Sequence, residues 1–175
     1  MDFKPIPLKD EDMAQFKKDM QEAFQQGAED GFGKDTEEIL PEDHINRSLA
    51  EKGAAAYEAI VDGQMVGGTI VVINKESGER HLDFLYTKVG THDKGVGLSI
   101  WKAVEKMYPE IKAWVTYTPW FDKRNLHFYI NKCGFHAVEF FDHLHPDPND
   151  PDDMDNLEEN DYFDGFFRFE KAIKS

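Results

Sequence analysis

The chain has 175 residues, of which 40% are hydrophobic and 14 are phenylalanine, so we expect one domain, residues 1–175, with a sizeable core. Its formal net charge of −15 argues against a nucleic-acid partner, because the nucleic-acid backbone would be repelled. The sequence has no apolar run long enough to span a bilayer and no charged-then-apolar leader, so we expect a cytoplasmic protein that does not bind a membrane.

The first third of the chain predicts one strand and two helices. Residues 3–7 favour a short strand, and the acidic residues that begin at Asp10 favour the start of a helix. Residues 41–52 predict the second helix, which ends at Gly53. Within the first helix, apolar residues recur at helical spacing: Met13, Phe16, Met20 and Phe24.

Three strands linked by turns are predicted next. Residues 54–61 and 65–73 are apolar and extended in character, and Asp62-Gly63 between them is typical of a tight hairpin turn. Residues 75–78 form a second turn signal, after which a third strand begins near His81.

Residues 81–105 combine that strand with a glycine-bearing turn and an amphipathic helix. We expect alternation to place His81, Asp83 and Leu85 on one face of the strand. A helix N-terminus leaves backbone N–H groups unpartnered and carries a partial positive charge, and Gly95 and Gly97 allow an anion to approach closely. The segment therefore predicts a phosphate site. The helix itself is indicated by apolar residues one turn apart, ended by a proline: Val96, Ile100, Val104, Tyr108 and Pro109.

Spacing excludes two common phosphate motifs. In a P-loop a lysine follows the second glycine, whereas Lys94 precedes Gly95. A dinucleotide fingerprint has a third glycine where this chain has Ile100.

The last third predicts a strand, a helix and a hairpin. Residues 112–118 form the strand, and the following helix starts at Asn125 and ends at Gly134. Residues 135–141 and 162–172 pair as the last hairpin, around an acidic, proline-rich loop at residues 143–161. Residues 147–158 lack the glycine of a calcium-binding loop, so we expect no specific metal site.

The charge is unevenly distributed along the chain. Residues 86–135 contain eight Lys or Arg against four Asp or Glu, whereas residues 136–165 contain eleven acids and no Lys or Arg. The predicted phosphate turn thus lies in the basic part of an acidic protein, which favours a polyanionic ligand. Lys88, Lys94 and Arg124 are the cations nearest to that turn and the following loop.

Two segments resemble motifs of the GNAT N-acetyltransferases. His92-Asp-Lys-Gly95-Val-Gly97 is similar to motif A, with His where the family has Arg or Gln, and residues 123–135 are similar to motif B. When positions are counted forward from Asn125, Tyr129 matches the tyrosine of the family motif. When they are counted back from Gly134, Ile130 matches it instead, because this chain has one extra residue between the tyrosine and the glycine.

The resemblance implies the α/β (α+β) GNAT fold, a mixed sheet of about six to seven strands flanked by helices in the order β-α-α-β-β-β-α-β-α-β-β. It implies direct transfer of an acetyl group from acetyl-CoA to a primary amine in a ternary complex. A backbone N–H near residues 87–89 would stabilise the oxyanion, and Tyr129 would protonate the departing thiolate. The implied contacts to coenzyme A are Thr87, Lys88, Val89, His92, Lys94, Gly95, Val96, Gly97, Leu98 and Asn125.

Asp83 and His81 are the candidates for the catalytic base, because in this family the polar face of their strand borders the acceptor cleft. The negative charge of the chain favours a cationic acceptor. Two other functions stay open: a non-catalytic acyl-CoA-binding module, and an interaction domain whose acidic loop captures a basic partner. The sequence also leaves open whether the protein forms a homodimer.

Overall fold

The computed structural model describes residues 5–34, 37–91, 95–149 and 165–173. Its strands are β1 (Ile6–Pro7), β2 (Ala54–Val61), β3 (Gln64–Asn74), β4 (Glu79–Thr87), β5 (Ala113–Pro119), β6 (His136–Phe141) and β7 (Phe166–Ala172). Within these residues all seven strands form one mixed sheet in the order β1-β2-β3-β4-β5-β7-β6.

Four helices flank the sheet within the described residues. They are α1 (Met13–Phe32), which follows a 3₁₀ turn at Asp10–Asp12, then α2 (Glu42–Ala50), α3 (Val96–Met107) and α4 (Lys123–His127), which continues as a π-helical turn (Phe128–Cys133). The observed order of helices and strands confirms the predicted one. The acidic loop predicted at residues 143–161 lies outside the described residues from position 150 onward.

Local sequence explains the hairpin between β2 and β3. Asp62 has a φ of 51° and Gly63 a φ of 76°, so both residues adopt the left-handed conformation that a two-residue hairpin turn requires. Glycine adopts this conformation at little cost and aspartate tolerates it. The Asp-Gly prediction is therefore confirmed.

Each face of the sheet is covered by its own hydrophobic cluster. Neighbouring residues Ile70 and Val71 of β3 belong to different clusters, as expected for side chains on opposite faces of a strand. The α3 side buries Ile100, Trp101, Trp114, Phe135 and Phe169 among others. The α1 and α2 side buries Phe16, Met20, Leu40, Ile45, Ile70 and Tyr86.

β4 contains a β-bulge at Asp83. Its neighbours Leu82 and Phe84 pair with adjacent residues of β3, so Asp83 is the extra residue in the ladder. A bulge shifts the alternation by one position, which is why Leu82 and Leu85 share the α3-side cluster while Phe84 packs on the opposite side. The predicted placement of Leu85 on the face of His81 and Asp83 is therefore wrong.

β4 and β5 separate next to this bulge. Within the described residues their only paired positions are His81 and Val115, although the Thr116 hydroxyl still donates to the Leu82 carbonyl at 2.8 Å. Bulges bend the strand that carries them. The carboxyl-terminal part of β4 therefore leaves β5 and opens a gap at the edge where the predicted phosphate turn begins.

The π-helical turn after α4 accommodates the extra residue of the second motif. The N–H of Gly134 donates to the carbonyl of Tyr129, five residues earlier, where an α-helix would span four. Tyr129 is 4% exposed and Ile130 is 43% exposed, so of the two candidates in the motif it is Tyr129 that points into the protein. Gly134 ends the turn with a φ of 86°, as expected for a residue that closes a helix.

Candidate active site

A cleft of about 680 Å³, here called the first cleft, lies where the end of β4 meets the first turns of α3 and α4. α1 forms its opposite wall through Ala23, Phe24 and Gly27. Six of the predicted cofactor contacts line it: Thr87, Gly95, Val96, Gly97, Leu98 and Asn125. The structure thus brings most of the predicted phosphate turn into one concave site.

The start of α3 offers free backbone donors to this cleft. No side chain of the described residues caps the helix, and its first intrahelical bond runs from the Ser99 N–H to the Gly95 carbonyl at 2.9 Å. The N–H groups of residues 96–98 therefore have no acceptor within the helix. A Cβ on Gly95 would meet no atom of the other described residues within 4 Å, so this part of the structure leaves the cleft open here. Unpartnered N–H groups at a helix N-terminus are the kind of donors that bind anions in proteins.

Gly97 serves the packing of the helix instead. A Cβ at this position would lie 3.3 Å from the ring of Phe128 and 3.5 Å from the Thr87 hydroxyl oxygen. Contacts of 3.3 Å are tighter than ordinary van der Waals contact, so a side chain here would push α3 away from its neighbours. Glycine lets α3 approach both β4 and α4.

Asp122, which the sequence analysis did not select, fixes the start of α4. Its carboxylate accepts hydrogen bonds from the backbone N–H of Asn125 at 3.1 Å and from the Asn125 Nδ2 at 2.9 Å. Asp122 is therefore the N-cap and α4 begins at Lys123, so the prediction that the helix starts at Asn125 is wrong by two positions. Burial raises the pKa of Asp122, while the backbone hydrogen bond and the charge of Arg124 oppose that shift.

Three basic side chains of α4 and its π-helical turn, Arg124, His127 and Lys132, also line the first cleft. The Arg124 guanidinium lies 3.1 Å from the carboxylate of Asp30 and is 70% exposed, so this ion pair is a surface contact. The His127 Nδ1 is 2.8 Å from the Asn131 side-chain nitrogen. Arg124 and Lys132 add positive charge beside the helix N-terminus.

Of the remaining predicted cofactor contacts, two do not line the first cleft and two lie outside the described residues. The Lys88 ammonium is 3.9 Å from the buried Asp19 carboxylate, and the Lys88 N–H donates to the Val66 carbonyl. Val89 is 44% exposed and does not line the first cleft. His92 and Lys94 belong to the residues that the structure does not describe.

A second cleft, of about 1170 Å³, lies on the α2 side of β4 and β5. Among the described residues, six acidic residues line it against two arginines, so with neutral histidines these residues give it a net charge of −4. Arg168 is itself paired with Glu139 at 3.1 Å and with Glu170 at 3.4 Å. The acids are Glu37, Glu38, Glu51, Glu79, Asp83 and Asp147, and the arginines are Arg47 and Arg168.

Both candidate bases line this second cleft. One Asp83 carboxylate oxygen accepts a hydrogen bond from the Ser48 hydroxyl of α2 at 2.6 Å. Burial raises the pKa of Asp83, and the Ser48 hydrogen bond and the nearby His81 act in the opposite direction. The His81 ring meets the Tyr117 ring edge to face at 6.1 Å.

Tyr129 lies in the hydrophobic core between α3 and the sheet. Its ring packs against Phe135 and Phe169, and it lines neither cleft. Burial raises its pKa well above the ordinary phenol value, and a side-chain hydrogen bond with Thr116 offsets this only in part. The proton is retained, but the phenol is a weaker acid than an ordinary tyrosine.

The two clefts adjoin along β4. Residues 81, 83 and 84 line the second cleft and residues 85–87 line the first. The boundary also runs between Phe121 and Asp122 after β5. A ligand in the first cleft and a ligand in the second would therefore meet where β4 leaves β5.

Sequence reasoning missed Asp122 and Tyr117, which line the clefts, and Ser48, which is hydrogen-bonded to the lining residue Asp83. A signal existed for Asp122, because aspartate before a Lys-Arg-Asn run is a typical helix cap. Tyr117 lines the second cleft, and the only signal for it in the sequence is the alternation of side chains along its strand. Ser48 has no local signal, since its partner Asp83 is 35 residues away.

No protein-family profile matches the chain. Solved structures match it over nearly its whole length. The PaiA N-acetyltransferase of Thermoplasma acidophilum, solved with coenzyme A, is 19% identical, with a TM-score of 0.63 over 99% of this chain and 100% of that one. Naa50 of Arabidopsis thaliana, solved with the bisubstrate analogue CoA-Ac-MVNAL, is 13% identical, with a TM-score of 0.64 and the same coverage.

A GNAT family acetyltransferase from Elizabethkingia anophelis with bound acetyl-CoA is 14% identical, with a TM-score of 0.58 over 76% of this chain and 84% of that one. The fold of the chain is thus that of the GNAT N-acetyltransferases, which confirms the resemblance seen in the two motifs.

One relative is close enough to define the family. The uncharacterized protein YrkN of Bacillus subtilis (strain 168) is 40% identical over 172 residues, which cover 95% of this chain and 91% of YrkN. The chain belongs to the same family as YrkN. Among the described residues, no helix has the length and apolar character needed to cross a membrane.

Proposed function

We propose that the protein transfers an acetyl group from acetyl-CoA to a cationic primary amine, directly, in a ternary complex. The observation that carries this proposal is the meeting of two unlike clefts along β4. One ends at the start of α3, which no side chain of the described residues caps, and the other is lined by six carboxylates from the described part of the chain. An anionic donor and a cationic acceptor would thus reach β4 from opposite sides.

The first cleft fits the polyanionic donor. The pyrophosphate would lie against the N–H groups of residues 96–98, where Gly95 leaves open space. Arg124 and Lys132 supply positive charge at the same cleft. Acetyl-CoA brings a thioester whose carbonyl carbon accepts the amine. Solved structures of the same fold that contain coenzyme A or acetyl-CoA support this assignment.

The second cleft fits the acceptor. Its net negative charge attracts an ammonium group, and such a group must lose a proton before its nitrogen can attack. We assign that proton to Asp83, because burial raises the pKa of this carboxyl and thereby makes it a better base. His81, two residues earlier in the same cleft, is the second candidate and lies close enough to influence Asp83.

The backbone of β4 would stabilise the oxyanion. The Lys88 N–H is already bonded to the Val66 carbonyl of β3. Because successive N–H groups of a strand point to opposite edges, the Thr87 N–H points toward the gap between β4 and β5. Thr87 also lines the first cleft, so we propose its N–H as the oxyanion donor.

Tyr129 remains the proposed acid for the thiolate on two grounds. It retains its proton, and its side chain is hydrogen-bonded to Thr116, whose hydroxyl bridges to Leu82 next to the β4–β5 gap. Its absence from the lining of both clefts favours a second candidate function, a coenzyme A-binding domain that does not turn over.

Two measurements test the proposal. Coenzyme A should raise the unfolding temperature, and acetyl-CoA should release free thiol only when a cationic amine is present. Asp83→Asn should lower kcat by roughly 10²- to 10⁴-fold, the usual contribution of a general base. Glu76→Gln, the same chemical change at an exposed turn, is the matched control. A thermal shift with coenzyme A but no thiol release with any amine would favour the non-catalytic alternative.

A further inference from the structure

We infer that Ser48 of α2 is a positioning residue for Asp83, an inference that rests on the proposed role of Asp83 as the base. Ser48 is 6% exposed, and its hydroxyl donates to Asp83 Oδ2 at 2.6 Å across 35 residues of sequence. This hydrogen bond joins α2, which forms part of the wall of the second cleft, to β4, which forms its floor. Short hydrogen bonds to a carboxylate are among the stronger ones in proteins.

Asp83 needs such a partner because of its place in β4. As the extra residue of the bulge, it has no opposite position in the ladder with β3. Cross-strand neighbours therefore cannot set its side-chain direction in the way they do for ordinary strand residues. Ser48 fixes one carboxylate oxygen from a different element and leaves the other oxygen for the acceptor.

α2 is well placed for this task. His44, Arg47 and Glu51, from α2 and the residue after it, line the second cleft, so the helix forms part of its wall. Ile45 is fully buried in the cluster between α2 and the sheet, which holds the helix in position. A rigid support of this kind is what orients a reacting group.

The hydroxyl also acts on the charge of the carboxylate. A donated hydrogen bond favours the ionised form, so Ser48 opposes the rise in the pKa of Asp83 that burial causes. The other groups that face Asp83 are His81, which also lowers its pKa, Glu51 and Glu79, which raise it, and Tyr117 of β5. Arg47 and Arg168 line the same cleft.

The test compares pH profiles of kcat/KM for three variants in the full-length protein. Ser48→Ala should move the acidic limb to higher pH, with a loss of roughly tenfold on that limb and recovery at high pH. Ser48→Thr keeps a hydroxyl and should restore the profile. Asn46→Ala, an exposed change on the same helix, should leave the profile unchanged. An unchanged acidic limb in Ser48→Ala would overturn the inference.

A direct titration separates this inference from the proposed function. The ¹³C chemical shift of the Asp83 carboxyl reports its ionisation whether or not the protein turns over. If no amine accepts acetyl but Ser48→Ala raises the Asp83 pKa, the proposed function fails and the hydrogen-bond effect stands. If the titration is the same in Ser48→Ala and the unchanged protein, the inference fails even in an active enzyme. Thermal unfolding of each variant confirms that the comparison is made between folded proteins.

Discussion

The Asp122 carboxylate holds the first turn of α4 by accepting hydrogen bonds from both the backbone N–H and the side-chain amide of Asn125, at 3.1 and 2.9 Å. Asp122 is only 5% exposed, yet it lines the first cleft beside Gly27 of α1. The same carboxylate therefore links the fold of α4 to the shape of the proposed donor site.

We expect Asp122→Ala to lower the free energy of unfolding by about 1–2 kcal/mol, because it removes a helix cap and leaves the Asn125 donors without their acceptor. Denaturant unfolding measures this change. Asp30→Ala removes an exposed ion pair with Arg124 and should cost about 0.5 kcal/mol or less. Equal effects of the two substitutions would contradict the assigned role of Asp122.

The two glycines at the start of α3 should respond differently to substitution. Gly95→Asn should keep or slightly raise stability, since asparagine is a good N-cap and the position has open space, but it should weaken coenzyme A binding by competing for the helix N–H groups. Gly97→Val should lower stability by about 1–3 kcal/mol, because its side chain would press on Phe128.

Calorimetric titration with coenzyme A and denaturant unfolding, made on both glycine variants, separate these effects. If Gly95→Asn bound coenzyme A as tightly as the unchanged protein, the anion would not lie at the start of α3.

Tyr129→Phe tests the assigned acid. If the phenol protonates the thiolate, the substitution should lower kcat by roughly 10²-fold with little change in KM, because the hydroxyl would act only in the chemical step. Tyr117→Phe is the matched control, since it removes the same hydroxyl from a tyrosine that faces the second cleft. Steady-state kinetics with acetyl-CoA measure both. A larger loss of kcat in Tyr117→Phe than in Tyr129→Phe would contradict the assignment and indicate that Tyr117, in the second cleft, is the acid.

Cys133, the only cysteine of the chain, should be chemically inert in the folded protein. It is 4% exposed, and burial raises its pKa to about 12, so almost no thiolate exists at neutral pH. A chromogenic disulfide reagent should label less than a tenth of the protein in native buffer and all of it in denaturant. Rapid native labelling would show that the helix end around Gly134 opens.

The order of elements follows from sequence because apolar periodicity and turn residues are local signals. Asp62-Gly63 and Gly134 specify their own backbone conformations, and both predictions are confirmed. The bulge at Asp83 is not local, because it depends on the register of β4 against β3. For that reason Leu85 was assigned to the wrong face.

The part of the site that is formed by backbone groups could be predicted from the sequence. Gly95 and Gly97 lie at the start of α3 as the motif predicts, since strand, turn and helix are contiguous in sequence. Lys88 was selected by its position in the chain, but its side chain reaches Asp19 of α1, which lies 69 positions earlier. Contacts of this kind, like that between Ser48 and Asp83, depend on tertiary packing.

The most direct test of the account is free-thiol release from acetyl-CoA with two acceptors of equal length, a diaminoalkane and the matching ω-amino acid. Because the described residues that line the second cleft give a net charge of −4, we predict amine-dependent release that is at least tenfold faster, in kcat/KM, with the diamine. Equal rates with both acceptors, or no release with either, would contradict the central claim that the two clefts join acetyl-CoA to a cationic amine.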